Sequence, residues 1–339
     1  MKHAPLALLA LAVLFGGWFL FKSSTIQAPT YPDQNLDIVA EEEWVQTLIV
    51  TNGVARAREV FTTENQKRDP LIQHSAAHVF GEVLYKEKGI TAFGECGSEF
   101  GFGCVHSFVG FAIAEHGIES LQKLDEACIE MYSTSGLGCF HGIGHGVLAY
   151  SGYTKKDLDA SLRHCATLSW QGRYGGCTDG VFMEYNFRMM ETDEKRQSRA
   201  FSEEFPYEPC QSLEGRFQEV CYFSQPEWWR QSLRGVDDSF RTIYQYCAGI
   251  VDREHARACF RGIGYAYSAE NAFSDTAIVT QCERIPKAEG ELWCREGAAW
   301  AFYADPALRE EVASVCTSNA STEVGARCLD EYLFVIETL

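Results

Sequence analysis

The chain has 339 residues, 46% hydrophobic and 22% charged, which excludes wholesale disorder and is enough for two average domains or one extended array. Asp and Glu number 47 against 29 Lys and Arg, a formal charge of -18. With no basic cluster to offset that charge, a nucleic-acid partner is excluded.

The first element is a membrane signal. Residues Ala4 to Phe21 form an 18-residue apolar run closed by Lys22. That is just long enough to cross a bilayer core and long for the apolar region of a cleaved signal peptide. Ile26 and Pro29 make a poor cleavage site around Ala28. Residues 1–22 therefore read as an uncleaved signal anchor, with secretion after cleavage as the alternative. The amino terminus and Lys2 favour a cytoplasmic N-terminus and a periplasmic or extracellular remainder. Residues 23–36 read as a stalk, and 37–339 as one folded domain opened by a cap helix over 37–50.

From Cys96 onward the cysteines fall into seven pairs: Cys96 with Cys104, Cys128 with Cys139, Cys165 with Cys177, Cys210 with Cys221, Cys247 with Cys259, Cys282 with Cys294 and Cys316 with Cys328. The pairs recur at a period of about 35 residues, the mark of a repeat architecture. No C-x-x-C occurs, which argues against zinc ribbons and thioredoxin-like redox chemistry. Disulfides within each repeat, formed in an oxidising compartment, are the expectation.

Each repeat reads as a helical hairpin. Leu158, Leu162 and Cys165, or Phe240, Ile243 and Cys247, have the spacing of one apolar helix face ending at the first cysteine. Thr154, Ser274 and Asp305 are N-cap residues, and Pro306 suits a first helical turn. A polar, often Gly-containing turn follows, and the second cysteine opens the second helix, as in CFHGIGHGVLAY, CTDGVFMEY, CFRGIGYAY and CREGAAWAFY. Small residues three positions later, such as Gly142, Gly180 and Gly262, predict close approach of neighbouring helices. A cysteine-free copy, HSAAHVFGEVLY, precedes the first pair, so about eight repeats run from Val54 to Leu339. The predicted fold is an all-α superhelical array of α/α hairpins, with a closed α/α toroid as the alternative.

In hairpin length and design this array resembles the tetratricopeptide-like repeat proteins, some secreted members of which carry one disulfide per hairpin. The resemblance spans almost the whole folded chain and implies an architecture. It carries no functional residues, since the Trp-Leu-Gly-Tyr pattern of that family is absent as such.

Two positions after the second cysteine the repeats place His74, His106, His141, Asp179, Arg261 and Glu296; one turn on come His78, His145, Met183, Tyr265 and Trp300. These registers share one helix face. Five of the nine histidines fall in this column, all in the first three repeats. His74/His78 and His141/His145 are H-x-x-x-H pairs, whose rings lie close enough on a helix to hold one ion together. The predicted metal residues are His74, His78, His106, His141, His145 and Asp179, with Glu82 as another carboxylate. Imidazole donors suit zinc, copper or iron better than calcium. In an open array one ion reaches His74, His78 and His106, or His106, His141 and His145; a closed toroid brings all five inward and permits two metals. Met183, Arg261, Tyr265, Glu296 and Trp300 are candidates for a ligand groove. His116, His164 and His255 lie outside the column.

Two interruptions are candidate rims of that groove. Residues 186–209 form a charged insertion, either a solvated loop or a rim. Pro226 is expected to interrupt a second helix, and Trp228-Trp229 after it are either core or an aromatic platform. No G-x-S-x-G, H-E-x-x-H, P-loop or dinucleotide fingerprint occurs. Two function classes remain: a metal-dependent enzyme or metal-handling protein centred on the histidine column, and a non-catalytic scaffold whose concave groove binds a peptide, protein or glycan.

Overall fold

Local signals account for where several of the helices begin. Asp37 caps the first helix by accepting from the backbone N–H of Val39 and Ala40, Thr154 and Asp157 form a capping box, and Ser274 accepts from Ala277 N–H. The computed structural model describes residues 37–133, 136–170, 174–191, 197–271, 273–304 and 308–337. The expected anchor and stalk, and the expected cap at Asp305 with Pro306, lie outside the described residues.

Among the described residues the chain is all-helical, with fifteen α-helices and no strand. They are α1 Ile38–Asn52, α2 Val54–Asn65, α3 Pro70–Lys88, α4 Gly103–His116, α5 Leu121–Tyr132, α6 Leu137–Ser151, α7 Lys155–Cys165 and α8 Gly176–Phe187, followed by α9 Arg216–Ser232, α10 Ser239–Gly249, α11 Arg253–Glu270, α12 Asp275–Glu283, α13 Ala288–Ala304, α14 Val312–Thr317 and α15 Thr322–Glu337. None of the described helices is long and apolar enough to cross a membrane.

All seven expected disulfides are present: Cys96 to Cys104, Cys128 to Cys139, Cys165 to Cys177, Cys210 to Cys221, Cys247 to Cys259, Cys282 to Cys294 and Cys316 to Cys328. No cysteine is free. The Cα–Cα distances of 5.3–5.8 Å are the ordinary span of a disulfide. Seven such bonds suit an oxidising, extracytoplasmic compartment.

The helices that carry the second cysteines pack in sequence, led by α3. α3 lies on α4, α4 on α6, α6 on α8, α8 on α9, α9 on α11, α11 on α13 and α13 on α15. Backbone rather than side chain meets backbone at these crossings. A Cβ added to Gly180 would lie 2.0 Å from the carbonyl oxygen of His141, and one added to Gly144 would lie 2.0 Å from that of Cys177. Only glycine tolerates this approach, and it holds the start of α8 against His141 on α6. Gly180→Ala is expected to cost roughly 1–3 kcal/mol, because α8 must move away from α6. Chemical denaturation checks this, and an unchanged midpoint would contradict the close packing.

Four departures from the sequence reading have physical causes. The first concerns the second cysteines, which were expected to open their helices. Cys104, Cys139 and Cys177 do lie in the first turn of α4, α6 and α8, but Cys221, Cys259, Cys294 and Cys328 lie in the second turn of α9, α11, α13 and α15. The caps decide this rather than the cysteines. Asp252 starts α11 well before Cys259 by accepting from His255 N–H, whereas Gly175 and Gly176, at φ 79° and 63°, hold off the start of α8 until the residue before Cys177.

The second departure is that the hairpin is incomplete in the first and fourth stapled repeats. Short 3-10 turns, Ile90–Glu95 and Cys210–Ser212, stand where a first helix was expected. Gly89, Gly94 and Gly97 break the first segment, and Pro206 and Pro209 the other. Third, Pro226 does not interrupt its helix: α9 runs through it, and Gly262 on α11 leaves room for the ring, whose Cδ would lie 3.1 Å from an added Cβ. Trp228 and Trp229 are core, with their indole N–H groups donating to the carbonyls of Arg199 and Pro206.

Fourth, the insertion is exposed along much of its described length, as a solvated loop would be, but is tied to the helices at Arg199. Arg199 donates to Asn186 Oδ1, the Glu208 carbonyl and Gln225 Oε1, and its guanidinium lies 3.4 Å over the Trp228 ring. Burial draws its pKa down to about 10, so the guanidinium stays charged at neutral pH. At the start of the insertion Met190 N–H is held by Glu184 instead.

Candidate metal centre

The five column histidines form one contiguous cluster. His106, on α4, sits between the two H-x-x-x-H pairs, its ring centroid 5.4 Å from His74 and His78, 5.3 Å from His141 and 5.8 Å from His145. One nitrogen from each of His74, His78 and His106 lies within 4.8 Å of the others. In both helical pairs the two Nε2 atoms are 3.0 Å apart.

Most rings are oriented from behind. His74 Nδ1 donates to the carbonyl of Phe100 at 2.7 Å, which leaves its lone pair on Nε2. His106 Nε2 donates to the Gly138 carbonyl at 3.0 Å, which leaves the lone pair on Nδ1. His145 Nδ1 donates to Glu184 Oε2 at 2.8 Å, and His141 Nδ1 faces Asp179 Oδ2 at 3.1 Å. Outer hydrogen bonds of this kind set which nitrogen can bind a metal. Part of the support comes from a strained turn: Phe100, Gly101 and Phe102 all have φ between 54° and 64°, the left-handed region. That turn aims the Phe100 carbonyl at His74.

Burial disfavours charge on these rings. It lowers the pKa of His74 and His145, and with the neighbouring histidines it holds His106 well below the ordinary histidine value. In the unfolded chain these rings take up a proton near pH 6.5, whereas in the folded, metal-free protein they resist it. Stability is therefore fully present above about pH 6.5 and falls as pH drops below it, by roughly 1 kcal/mol per ring between pH 6.5 and 5.5. Denaturation midpoints at pH 7.5 and 5.5 test this, and a midpoint that rises at pH 5.5 would contradict it.

The cluster opens on a cavity of about 420 Å³. His74, His78, His106, His141, His145 and Asp179 form one wall, and Phe102, Leu137, Met183 and Met189 flank them. Tyr265, Trp300, Tyr303 and Arg309, from the far end of the chain, also line it. The volume is that of a small-molecule pocket. Burial and the nearby Asp179 and Glu227 carboxylates raise the pKa of Tyr265, so it presents a neutral phenol.

The structure brings together most of the sequence-predicted residues and separates a few. Met183, Tyr265 and Trp300 line the cavity, whereas Arg261 and Glu296 do not. Arg261 Nε donates to Glu296 at 2.8 Å, and Arg257 joins the same carboxylate, so the pair neutralises itself within the helix packing. Glu82 pairs with Lys86 instead. His116 is exposed, and His255 stacks on Tyr222, away from the cluster.

The disulfides stand behind the site and not in it. Cys139, Cys221, Cys259 and Cys294 are buried in the core between the helices, and none of them lines the cavity. With every cysteine committed to a disulfide, the cysteines are neither metal ligands nor nucleophiles; they tie the helices of the column to the segments before them.

Sequence reasoning missed Glu184. It is fully buried and accepts from His145, from the Tyr153 hydroxyl at 2.6 Å and from Met190 N–H at 3.2 Å. The one signal for it was a lone acid in the apolar stretch Val181–Phe187 of α8. Comparison of the chain with protein-family profiles, curated proteins and solved structures finds no match in any of the three.

Proposed function

We propose that the histidine cluster is a transition-metal centre in a membrane-anchored, extracytoplasmic repeat protein, acting as a metal-dependent enzyme or a metal-handling protein. The observation that carries this reading is the trio His74, His78 and His106, with one nitrogen from each within 4.8 Å of the others, on the wall of a small-molecule cavity. Neutral imidazoles suit zinc, copper or iron, and three protein ligands leave coordination positions for water or substrate. His141 and His145 extend the centre, with Asp179 and Glu184 behind them.

The finer architecture belongs to the same proposal. Residues of α3 and of α13 line one cavity, which supports a strongly curved superhelical array approaching the closed toroid. Residues 1–22 anchor it with the N-terminus in the cytoplasm; release after signal cleavage is the alternative.

One observation favours the other class. Tyr265, Trp300 and Tyr303 make an aromatic wall with Arg309 beside it, which suits a glycan or peptide end held without chemistry.

Zinc titration of the full-length chain, purified without a histidine tag, separates the two. His74→Ala and His106→Ala are each expected to weaken zinc binding at least about a hundredfold, because a site of three protein ligands rarely survives losing one. His255→Ala is expected to change nothing. Equal zinc affinity in all four proteins would remove the metal reading and leave the scaffold.

A further inference from the structure

The two histidine pairs look alike, with Nε2 atoms 3.0 Å apart in each, but their surroundings differ. In the first pair His74 has committed its Nδ1 proton to the Phe100 carbonyl, so its Nε2 can only accept. His78 has the hydroxyl of Ser107 3.5 Å from its Nδ1, and a hydroxyl serves either ring tautomer. His78 Nε2–H can therefore donate to His74 Nε2, and two neutral rings satisfy each other.

The second pair has no such solution. His145 Nδ1 faces Glu184, which also accepts from the Tyr153 hydroxyl and Met190 N–H and so acts as a carboxylate. His141 Nδ1 faces the Asp179 carboxylate at 3.1 Å. The hydrogen bond to Glu184 at His145 and the carboxylate charge 3.1 Å from His141 each favour the proton on Nδ1. Two neutral rings would then turn their Nε2 lone pairs on each other at 3.0 Å, beside two buried or half-buried negative charges. A cation between the nitrogens, a metal ion or a shared proton, relieves that repulsion.

We propose that His141 and His145 form a second divalent transition-metal position, distinct from the one at His74, His78 and His106, with Asp179 and Glu184 as orienting carboxylates. The inference rests on the proposed metal centre and adds a second ion to it. An ion at the usual 2.0–2.1 Å from each nitrogen would subtend an N–metal–N angle of roughly 90–100°, an ordinary angle for octahedral or distorted tetrahedral coordination. The remaining coordination positions face the cavity beside Met183, where water or an oxygen of a small organic substrate completes them. Two ions along one cavity wall match a chemistry in which one activates water and the other polarises the substrate.

Zinc stoichiometry and affinity, measured by elemental analysis and competitive titration on the full-length untagged chain, test this. Two equivalents are expected in the unaltered protein, one in His145→Gln and one in His74→Gln. Asp179→Asn, which keeps the site's shape should His145→Gln fail to fold, is expected to weaken one of the two equivalents about 10–100-fold. A single equivalent, lost in His74→Gln and kept in His145→Gln and Asp179→Asn, overturns the second position and leaves the first; a proton would then bridge His141 and His145. A single equivalent lost on changing either pair overturns it too, since one ion would then use both pairs. No bound zinc at all overturns both readings.

Discussion

Glu184→Ala is expected to destabilise the metal-free protein by about 3–5 kcal/mol, near the upper end for a single substitution. The carboxylate is fully buried and satisfies three donors: His145 Nδ1, the Tyr153 hydroxyl and Met190 N–H. Alanine strands the buried His145 Nδ1–H and removes the acceptor of the half-buried Tyr153 hydroxyl and Met190 N–H, at roughly 1–3 kcal/mol for each donor that water does not reach. Some of that loss is recovered if water enters the space, so the sum of the three is an upper bound. The expected change is in the denaturation midpoint and also in zinc affinity, because His145 loses the group that fixes its tautomer. Glu184→Gln keeps an acceptor oxygen but turns a donor toward the cluster, so it should fold better and still bind zinc less tightly. A Glu184→Ala protein as stable as the parent would show that the carboxylate does not organise this corner.

Removing the Cys165–Cys177 disulfide, by serine at both positions, carries the second large effect. The bond closes a loop with a sequence separation of 12, for which chain entropy predicts about 3 kcal/mol. It also joins the end of α7 to the start of α8, the helix that carries Asp179, Met183 and Glu184. The double variant is therefore expected to lose about 3 kcal/mol of stability and to weaken zinc binding. Removing Cys316–Cys328, at the other end of the chain, should cost similar stability through its equal separation while leaving zinc affinity unchanged. Equal effects of the two on zinc would contradict the role of α8 in orienting the site.

The disulfide framework was legible because it is local. Pairs separated by 8–12 residues, at a period of about 35, leave little ambiguity about which cysteines meet. Where each helix starts relative to its cysteine was less legible, since Cys221, Cys259 and Cys294 share the repeat position of Cys139 and yet sit a turn deeper in their helices. The histidine cluster was legible because the i, i+4 spacing places each pair on one helix face, and the packing of α3 on α4 and of α4 on α6 brings the pairs together with His106 between.

What the sequence left open depends on contacts between distant segments. Arg261 and Glu296 stand two residues after a second cysteine, as His106 and His141 do, yet they lie on the packed helices α11 and α13 with opposite charges, so they pair with each other and leave the cavity. Tyr265 and Trp300, one turn further along the same face, do line it, because their segment comes round to face the histidines. Glu184 falls outside the two registers, and its importance comes from Tyr153, 31 residues away, and from the backbone of the insertion at Met190. The insertion itself read as a charged stretch; Arg199 packs on Trp228, and Met189 lines the cavity.

The central claim is that imidazole nitrogens of this cluster hold a transition metal, and X-ray absorption at the metal edge reads that most directly. On zinc-loaded, untagged full-length protein the account predicts a first shell of nitrogen and oxygen at about 2.0–2.1 Å, with the outer scattering of several imidazole rings and no sulfur shell from the paired cysteines. The imidazole contribution should fall in His106→Ala. A sulfur shell near about 2.3 Å, or a first shell of oxygen alone that His106→Ala leaves unchanged, would place the metal elsewhere and contradict the account.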